Sequence, residues 1–199
     1  MKVAFVYFDV GGVILNYEHA HEELSRKTGK PVWEIDKALE KYSVPRTLDI
    51  NQLWEDFKRD FGLVFSSYEE FVTFYTGCFV PIQSTHKLIK ELAHSYPVGL
   101  LSNTEPQTLE TSIRLGKIPD VSFSTIVASC YVGSRKPERK IYEIAKERSG
   151  VEHEKILFID DMKENIAAAK AFSWQALWFD ITDPEKSVEE IRKYLAEAR

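Results

Sequence analysis

Four short apolar runs constrain the fold of this chain more than any other feature. The runs are Val3–Phe8, Val98–Leu101, Ile156–Ile159 and Ala176–Phe179. Unbroken apolar runs of this length are typical of strands that are buried on both faces of a parallel sheet. Helical patterns lie between them, at Ser84–Ser95, Glu138–Ser149 and Lys163–Phe172. The alternation predicts an α/β fold with a Rossmann-like open parallel sheet and helices on both faces.

The stretch from residue 16 to residue 82 breaks this alternation, because it has several amphipathic helical patterns and no convincing buried strand. At roughly 150 residues per domain, the 199 residues amount to about 1.3 domains. We therefore predict an α/β core domain, residues 1–15 and 83–199, with an all-helical domain of residues 16–82 inserted after the first strand.

Helix signals within the inserted segment support this division. Ser67 and Glu70 have the spacing of a capping box, and either Thr47 or Asp49 can cap the helix that follows. Aromatic residues such as Phe57 recur at helical spacing, which predicts the core of a small helical bundle.

Composition excludes several classes of protein. The chain is 44% hydrophobic and has 26 basic and 31 acidic side chains, so it is neither disordered nor suited to nucleic acid. No apolar run approaches the roughly 18 residues that span a membrane. Cys78 and Cys130 lie in no metal-binding spacing, which favours reduced thiols and a cytoplasmic location. The sequence carries no signal for an oligomeric state.

The first polar segment that follows an apolar run contains Asp9, Gly11 and Gly12. An acidic residue at the carboxyl end of a parallel strand lies where open α/β sheets bind their ligands. The two glycines allow a tight turn whose amide groups suit an anion.

Two further segments carry groups that bind anions. Ser102 and Asn103 follow the second apolar run, where a hydroxyl and an amide can bind phosphate oxygens or hold a carboxylate. Lys136 precedes Pro137, which fits the first turn of a helix, and it can act as a point charge on a phosphate or carboxylate.

The fourth segment contains Asp160 and Asp161, with Asn165 one turn later. Two adjacent carboxylates after an apolar strand repel each other unless a cation lies between them. Mg²⁺ binds one or two carboxylates together with substrate oxygens, so this pair predicts a Mg²⁺ site.

In this order, the four segments resemble the motifs of the haloacid dehalogenase superfamily, from Val3 to about Asn165. The resemblance is strongest to phosphatases with a helical cap after the first strand, such as bacterial glucose-1-phosphate phosphatases. It implies that Asp9 attacks phosphorus and forms an aspartyl-phosphate.

The same resemblance implies the other site residues. Ser102 and Lys136 would bind the phosphoryl group, and Asn103 would help to position the nucleophile. The Mg²⁺ ligands would be Asp161, Asp160 through water, Asp9 and the main-chain carbonyl of Gly11.

One position departs from the pattern, because most phosphatases of this family have a general-acid Asp where this chain has Gly11. Losing a positioned general acid costs about 10²–10⁴ in rate. Three explanations stay open. The substrate has a good leaving group, such as an anomeric or acyl phosphate; Glu18, His19 or His21 supplies the proton; or the protein is a slow enzyme or none.

The resulting prediction is a Mg²⁺-dependent phosphatase that acts on a small phosphorylated metabolite, such as a sugar phosphate. A metal-independent 2-haloacid dehalogenase and a catalytically silent binding protein are the alternatives. Tyr17, Arg46 and Trp54 are candidate substrate contacts in the cap.

Overall fold

The computed structural model describes residues 2–45, 48–62 and 65–198. Its strands are β1 (Phe5–Phe8), β2 (Leu15–Asn16), β3 (Val80–Pro81), β4 (Val98–Ser102), β5 (Thr125–Ala128), β6 (Ile156–Asp160) and β7 (Gln175–Trp178). The five longer strands form one parallel sheet in the order β5-β4-β1-β6-β7. The predicted open parallel sheet is therefore confirmed.

The helices are α1 (Glu18–Thr28), α2 (Val32–Tyr42), α3 (Ile50–Phe61), α4 (Tyr68–Gly77), α5 (Gln83–Leu92), α6 (Thr108–Arg114), α7 (Ser129–Val132), α8 (Arg139–Ser149), α9 (Lys163–Ala171) and α10 (Pro184–Glu197). Within the described ranges, no helix is both long enough and apolar enough to span a membrane.

Side chains alternate between the two faces of the sheet, and each face is buried. On β1, Val6 and Phe8 belong to one hydrophobic cluster, together with side chains of α5 and α10. Phe5 and Tyr7 belong to the other, together with side chains of α8 and α9. Burial on both faces explains why the central strands are continuously apolar.

The four helices α1–α4 are inserted between β2 and β3, which pair as a two-stranded antiparallel sheet. An aromatic cluster fills the centre of this bundle. The ring of Phe57 lies 4.4 Å from Tyr42, 4.5 Å from Phe61 and 4.4 Å from Phe71, measured between centroids. The aromatic pattern therefore corresponds to core packing, as the sequence predicts.

Capping in the inserted helices follows the sequence closely. The side chain of Asp49 accepts hydrogen bonds from the amides of Asn51 and Gln52 at the start of α3. The other candidate cap, Thr47, lies outside the described residues. At the start of α4, the Ser67 hydroxyl accepts from the amide of Glu70, whose carboxylate accepts from Ser66.

Two features differ from the sequence prediction. The sequence prediction does not include strand β5. Half of this edge strand is only partly buried, and its apolar run is short. Pro137 was expected in the first turn of a helix, but α8 begins at Arg139 with Glu138 as its N-cap residue. The segment before α8 instead places Lys136 at the carboxyl ends of β1 and β6, beside Asp9 and Asp160.

Candidate active site

The polar segments converge at one edge of the sheet because its strands are parallel. Phe8 pairs with Leu100 on one side and with Ile159 on the other, so β1, β4 and β6 end together. A cleft of about 580 Å³ opens there, at the carboxyl ends of the strands, and residues of the inserted segment form part of its wall. Its lining includes Asp9, Gly11, Gly12, Tyr17, His21, Asn103, Arg135, Lys136, Asp161 and Asn165.

Lys136 joins two carboxylates in the floor of this cleft. Its Nζ lies 2.7 Å from Oδ1 of Asp9 and 2.8 Å from Oδ2 of Asp160, and all three side chains are buried. Burial by itself would lower the pKa of Lys136, but the charges of Asp160 and Asp9 outweigh it and raise the pKa. Lys136 is therefore a permanent cation beside Asp9.

Asn103 holds the backbone of Lys136. Its Nδ2 donates to the carbonyl oxygen of Lys136 at 3.0 Å, and its Oδ1 accepts from the amide of Lys136 at 2.8 Å. Asn103 therefore helps to position Lys136, and Lys136 in turn contacts Asp9. Sequence reasoning did not reveal this pair, because the two residues are 33 positions apart.

The two adjacent aspartates have different surroundings. Asp160 is saturated with donors: besides Lys136, it accepts from the amide of Met162 at 2.7 Å and from Nδ2 of Asn165 at 3.0 Å. Asp161 instead faces the cleft. Burial, together with the charge of Asp160, raises the pKa of Asp161 to about 6.

The donor set at this point suits a hard cation. One oxygen from each of Asp9, Asp160 and Asp161 lies within 4.8 Å of the others. Gly12 permits the approach of Asp161, because a Cβ on Gly12 would lie 2.1 Å from Asp161 Oδ2, and its φ of +72° favours glycine. A cluster of carboxylate oxygens is the kind of ligand set that Mg²⁺ binds.

The glycine turn serves anion binding less fully than the sequence suggests. The amide of Gly12 donates to the carbonyl of Leu15 at 2.8 Å, so it is not directed to a ligand. No hydrogen bond occupies the amide of Gly11 within the described part of the chain. The expectation that the amides of this turn bind an anion was therefore wrong for Gly12, because its amide is bound within the turn.

Tyr17 lies against Gly11, at the position where the sequence lacks an acid. A Cβ on Gly11 would lie 2.7 Å from Cε2 of Tyr17. Burial, followed by the charges of Asp9, Glu105 and Asp161, raises the pKa of the Tyr17 hydroxyl well above its usual value. The phenol therefore keeps its proton.

The candidate proton donors of the cap differ in their availability. His21 lines the cleft, but its Nδ1 lies 2.7 Å from Asp36 and its Nε2 lies 2.9 Å from the hydroxyl of Tyr75. His19 is exposed beside Glu23, whereas Glu18 is exposed at the rim of the cleft. Of the three candidates, His21 lines the cleft but has both ring nitrogens paired within the protein, and His19 and Glu18 are exposed.

The remaining predicted contacts lie at varied distances from the cleft. Ser102 ends β4, is fully buried and does not line the cleft; its hydroxyl lies 3.5 Å from the carbonyl of Asn103. Trp54 packs against the hydrophobic core of the bundle. Arg46 lies outside the described residues.

A contact that the sequence did not indicate joins Arg135 at the cleft to Glu40 of α2, at 2.6 Å.

The fold and this constellation correspond to a known family. A model of the haloacid dehalogenase-like hydrolases matches residues 4–173, so the chain belongs to that family. The resemblance inferred from the four polar segments is therefore confirmed at the level of the superfamily.

Individual relatives agree with this assignment. A phosphatase of Mycobacterium tuberculosis is 24% identical over 196 residues, which cover 90% of this chain and 88% of the relative. The structure of a HAD-like family hydrolase from Porphyromonas gingivalis superposes with a TM-score of 0.77 at 25% identity, covering 98% of both chains.

A third comparison concerns the ligands of a relative. A HAD family enzyme from Bacteroides thetaiotaomicron was crystallised with magnesium and inorganic phosphate. It superposes with a TM-score of 0.72 at 18% identity, covering 90% of this chain and 96% of the other.

Proposed function

We propose that this chain is a Mg²⁺-dependent phosphatase with a helical cap, that Asp9 is its nucleophile, and that its substrate is a small phosphorylated metabolite such as a sugar phosphate. The observation that carries the proposal is the position of Lys136 between Asp9 and Asp160, beside the cleft-facing carboxylate of Asp161. Carboxylates beside one buried lysine can bind a phosphoryl group once a divalent cation offsets their negative charge.

Asp9 is arranged for attack on phosphorus. Its Oδ1 contacts Lys136 and the amide of Val10, each at 2.7 Å, whereas no donor among the described residues reaches Oδ2. Oδ2 is thus free to form the bond to phosphorus that gives an aspartyl-phosphate. Lys136 would contact the phosphoryl oxygens, whereas the hydroxyl of Ser102 is buried outside the lining of the cleft and is not assigned this part.

The residues that would hold Mg²⁺ are Asp9, Asp161 and the main-chain carbonyl of Gly11. The oxygens of Asp160 already accept from Lys136, Met162 and Asn165, so we assign Asp160 an indirect part through water. When bound, Mg²⁺ supplies the positive charge that lets a carboxylate approach a phosphate dianion.

The inserted helices would decide which substrate reaches Asp9. They border the cleft through Tyr17 and His21, and Glu40 of α2 contacts Arg135 beside Lys136. A cap in this position excludes water and selects the leaving group. The Mycobacterium tuberculosis relative is a phosphatase, which supports the reaction class. The place near the bacterial glucose-1-phosphate phosphatases rests on the resemblance of the four polar segments alone.

The test is a hydrolysis screen over phosphorylated metabolites, with and without Mg²⁺, in which the Asp9→Asn protein is the blank. We expect phosphate release that requires both Asp9 and Mg²⁺ for at least one sugar phosphate. Halide release from 2-haloacids that persists in excess EDTA would show instead that the chain is a dehalogenase. Absence of any Asp9-dependent turnover would favour a silent binding protein.

A further inference from the structure

The space beside Gly11 is occupied by another residue. A Cβ built on Gly11 would lie 2.7 Å from Cε2, 3.3 Å from Cδ2 and 3.4 Å from Cζ of Tyr17. Real Cβ atoms do not approach carbon atoms as closely as 2.7 Å, so a longer side chain at residue 11 requires the ring to move. An aspartate at residue 11 and the present position of the Tyr17 ring therefore exclude each other.

The ring of Tyr17 is held in place by aromatic neighbours. Its centroid lies 4.2 Å from Phe79, 6.3 Å from His21 and 6.5 Å from Tyr75. Tyr17 directly follows β2 and Phe79 directly precedes β3, and these strands pair with each other. Strands β2 and β3, the hinge strands between the core and the inserted helices, thus fix the ring against Gly11.

The hydroxyl of Tyr17 has no protein partner in the described ranges, although the residue lines the cleft with Asp9 and Asp161. The neighbouring Tyr75 differs in this respect, because its hydroxyl lies 2.9 Å from Nε2 of His21. A donor that lines the same cleft as the nucleophile and is not bound within the protein is available to a substrate.

Given the phosphatase function proposed above, we infer that Tyr17 contacts the substrate at the bridging oxygen and replaces the general acid there with a hydrogen bond alone. As the bond from Asp9 Oδ2 to phosphorus forms, the bond to the bridging oxygen breaks, and that oxygen keeps the electron pair. It leaves as an anion that accepts a hydrogen bond from Tyr17, and no proton is transferred.

The second step needs no further acid or base. Water attacks the phosphorus of the aspartyl-phosphate, the bond to Asp9 breaks, and Asp9 regains its carboxylate. Both protons of the water remain on the released phosphate. The preferred substrates are accordingly phosphates whose leaving group is stable as an anion, namely acyl, enol and aryl phosphates and, among sugar phosphates, those joined at the anomeric carbon.

The experiment compares the wild type with Tyr17→Phe on aryl phosphates whose leaving phenols span a wide range of acidity. We expect Tyr17→Phe to lower kcat/KM by roughly ten- to a hundredfold, the size of one hydrogen bond to a developing charge. The loss should increase as the phenol becomes less acidic. The substitution retains the ring and its packing against Phe79, so folding is preserved.

The matched control is Tyr75→Phe, which removes the neighbouring hydroxyl that is bound to His21. It should leave the dependence on leaving-group acidity unchanged. A second variant joins Gly11→Asp to Tyr17→Ala, which makes room for a carboxylic acid, and it should reduce that dependence. Gly11→Asp alone should lose activity, because the ring still occupies the space.

Three outcomes separate the inference from the proposed function. Turnover by the wild type with an identical leaving-group dependence in Tyr17→Phe overturns the inference and leaves the phosphatase function standing. Equal loss across the whole series also overturns it, because a structural defect acts uniformly. Absence of Asp9-dependent turnover in the wild type overturns both.

Discussion

Nζ of Lys136 lies 2.7 Å from Asp9 and 2.8 Å from Asp160, so one buried cation pairs with carboxylates that come from two neighbouring strands. Asn103 fixes the backbone of Lys136 from a third strand. The three strand ends are thereby connected through a single side chain. Its removal should affect both activity and folding.

Substitution Lys136→Met should lower turnover by about 10²–10³-fold, because it removes a charge aimed at the phosphoryl oxygens. It should also lower the free energy of unfolding by about 3–5 kcal/mol, because Asp9 and Asp160 are left unpaired and buried. Urea denaturation and phosphate release measure the two effects. Lys140→Met, at an exposed position nearby, is the control; an equal effect of both variants would contradict the prediction.

Substitution Gly12→Ala should abolish Mg²⁺-dependent turnover, because the new Cβ would lie 2.1 Å from Oδ2 of Asp161. The matched control is Gly150→Ala, where φ is +68° and no atom lies within 4 Å of the Cβ. Both variants carry a backbone cost of about 1–2 kcal/mol. Calorimetric titration with Mg²⁺ should show weakened binding only for Gly12→Ala, and unchanged binding there would refute the assigned position of Asp161.

Addition of Mg²⁺ should raise the melting temperature of the wild type, because it binds the folded carboxylates of Asp9 and Asp161. At a hundred times Kd the stabilisation is about 2.7 kcal/mol, or roughly 5–10 °C for a chain of this size. EDTA should reverse the shift. Asp161→Asn should remove it while Asp120→Asn, at an exposed position, should not; a shift retained in Asp161→Asn would place the ion elsewhere.

Glu105 should make the stability of the protein depend on pH. Burial raises its pKa from 4.5 to about 7, so between these values the folded chain binds more protons than the unfolded chain. Stability should therefore fall by roughly 3 kcal/mol as the pH rises from 4.5 to 7.

Urea midpoints between pH 4 and 8 measure this effect. Glu105→Gln removes the titrating group, so its stability should decline less across this window and exceed that of the wild type at pH 8. The exposed Glu69→Gln is the control and should follow the wild type. Parallel pH profiles of Glu105→Gln and the wild type would contradict the assignment.

Local sequence patterns were sufficient for the central sheet and for most helices. Strands β1, β4 and β6 are buried on both faces, and such strands need apolar side chains at every position. The edge strand β5 was not predicted, because it is partly exposed and its side chains carry a weaker signal. Strands β2 and β3 have two residues each, which is too short for any periodicity.

Long-range contacts explain why the site was predicted only in part. Asp9, Asp160 and Asp161 were identified by type and by their positions at the ends of apolar runs, and Lys136 by its place before Pro137. The four residues lie together. The part played by Asn103 depends on a contact with the backbone of Lys136, which no local pattern encodes. The same holds for the ring of Tyr17 beside Gly11, because that contact depends on how the hinge strands pair.

The sequence by itself determined the parallel sheet, the inserted helical segment, the acidic residues at the strand ends and the lysine that precedes Pro137. These properties follow from periodicity, burial and residue type, which act over a few neighbouring positions. Only the tertiary structure decided that Lys136 lies between Asp9 and Asp160, that Asp161 rather than Asp160 faces the cleft, and that Tyr17 occupies the space beside Gly11. Each of these depends on how the chain packs in three dimensions, which residue type and periodicity do not encode.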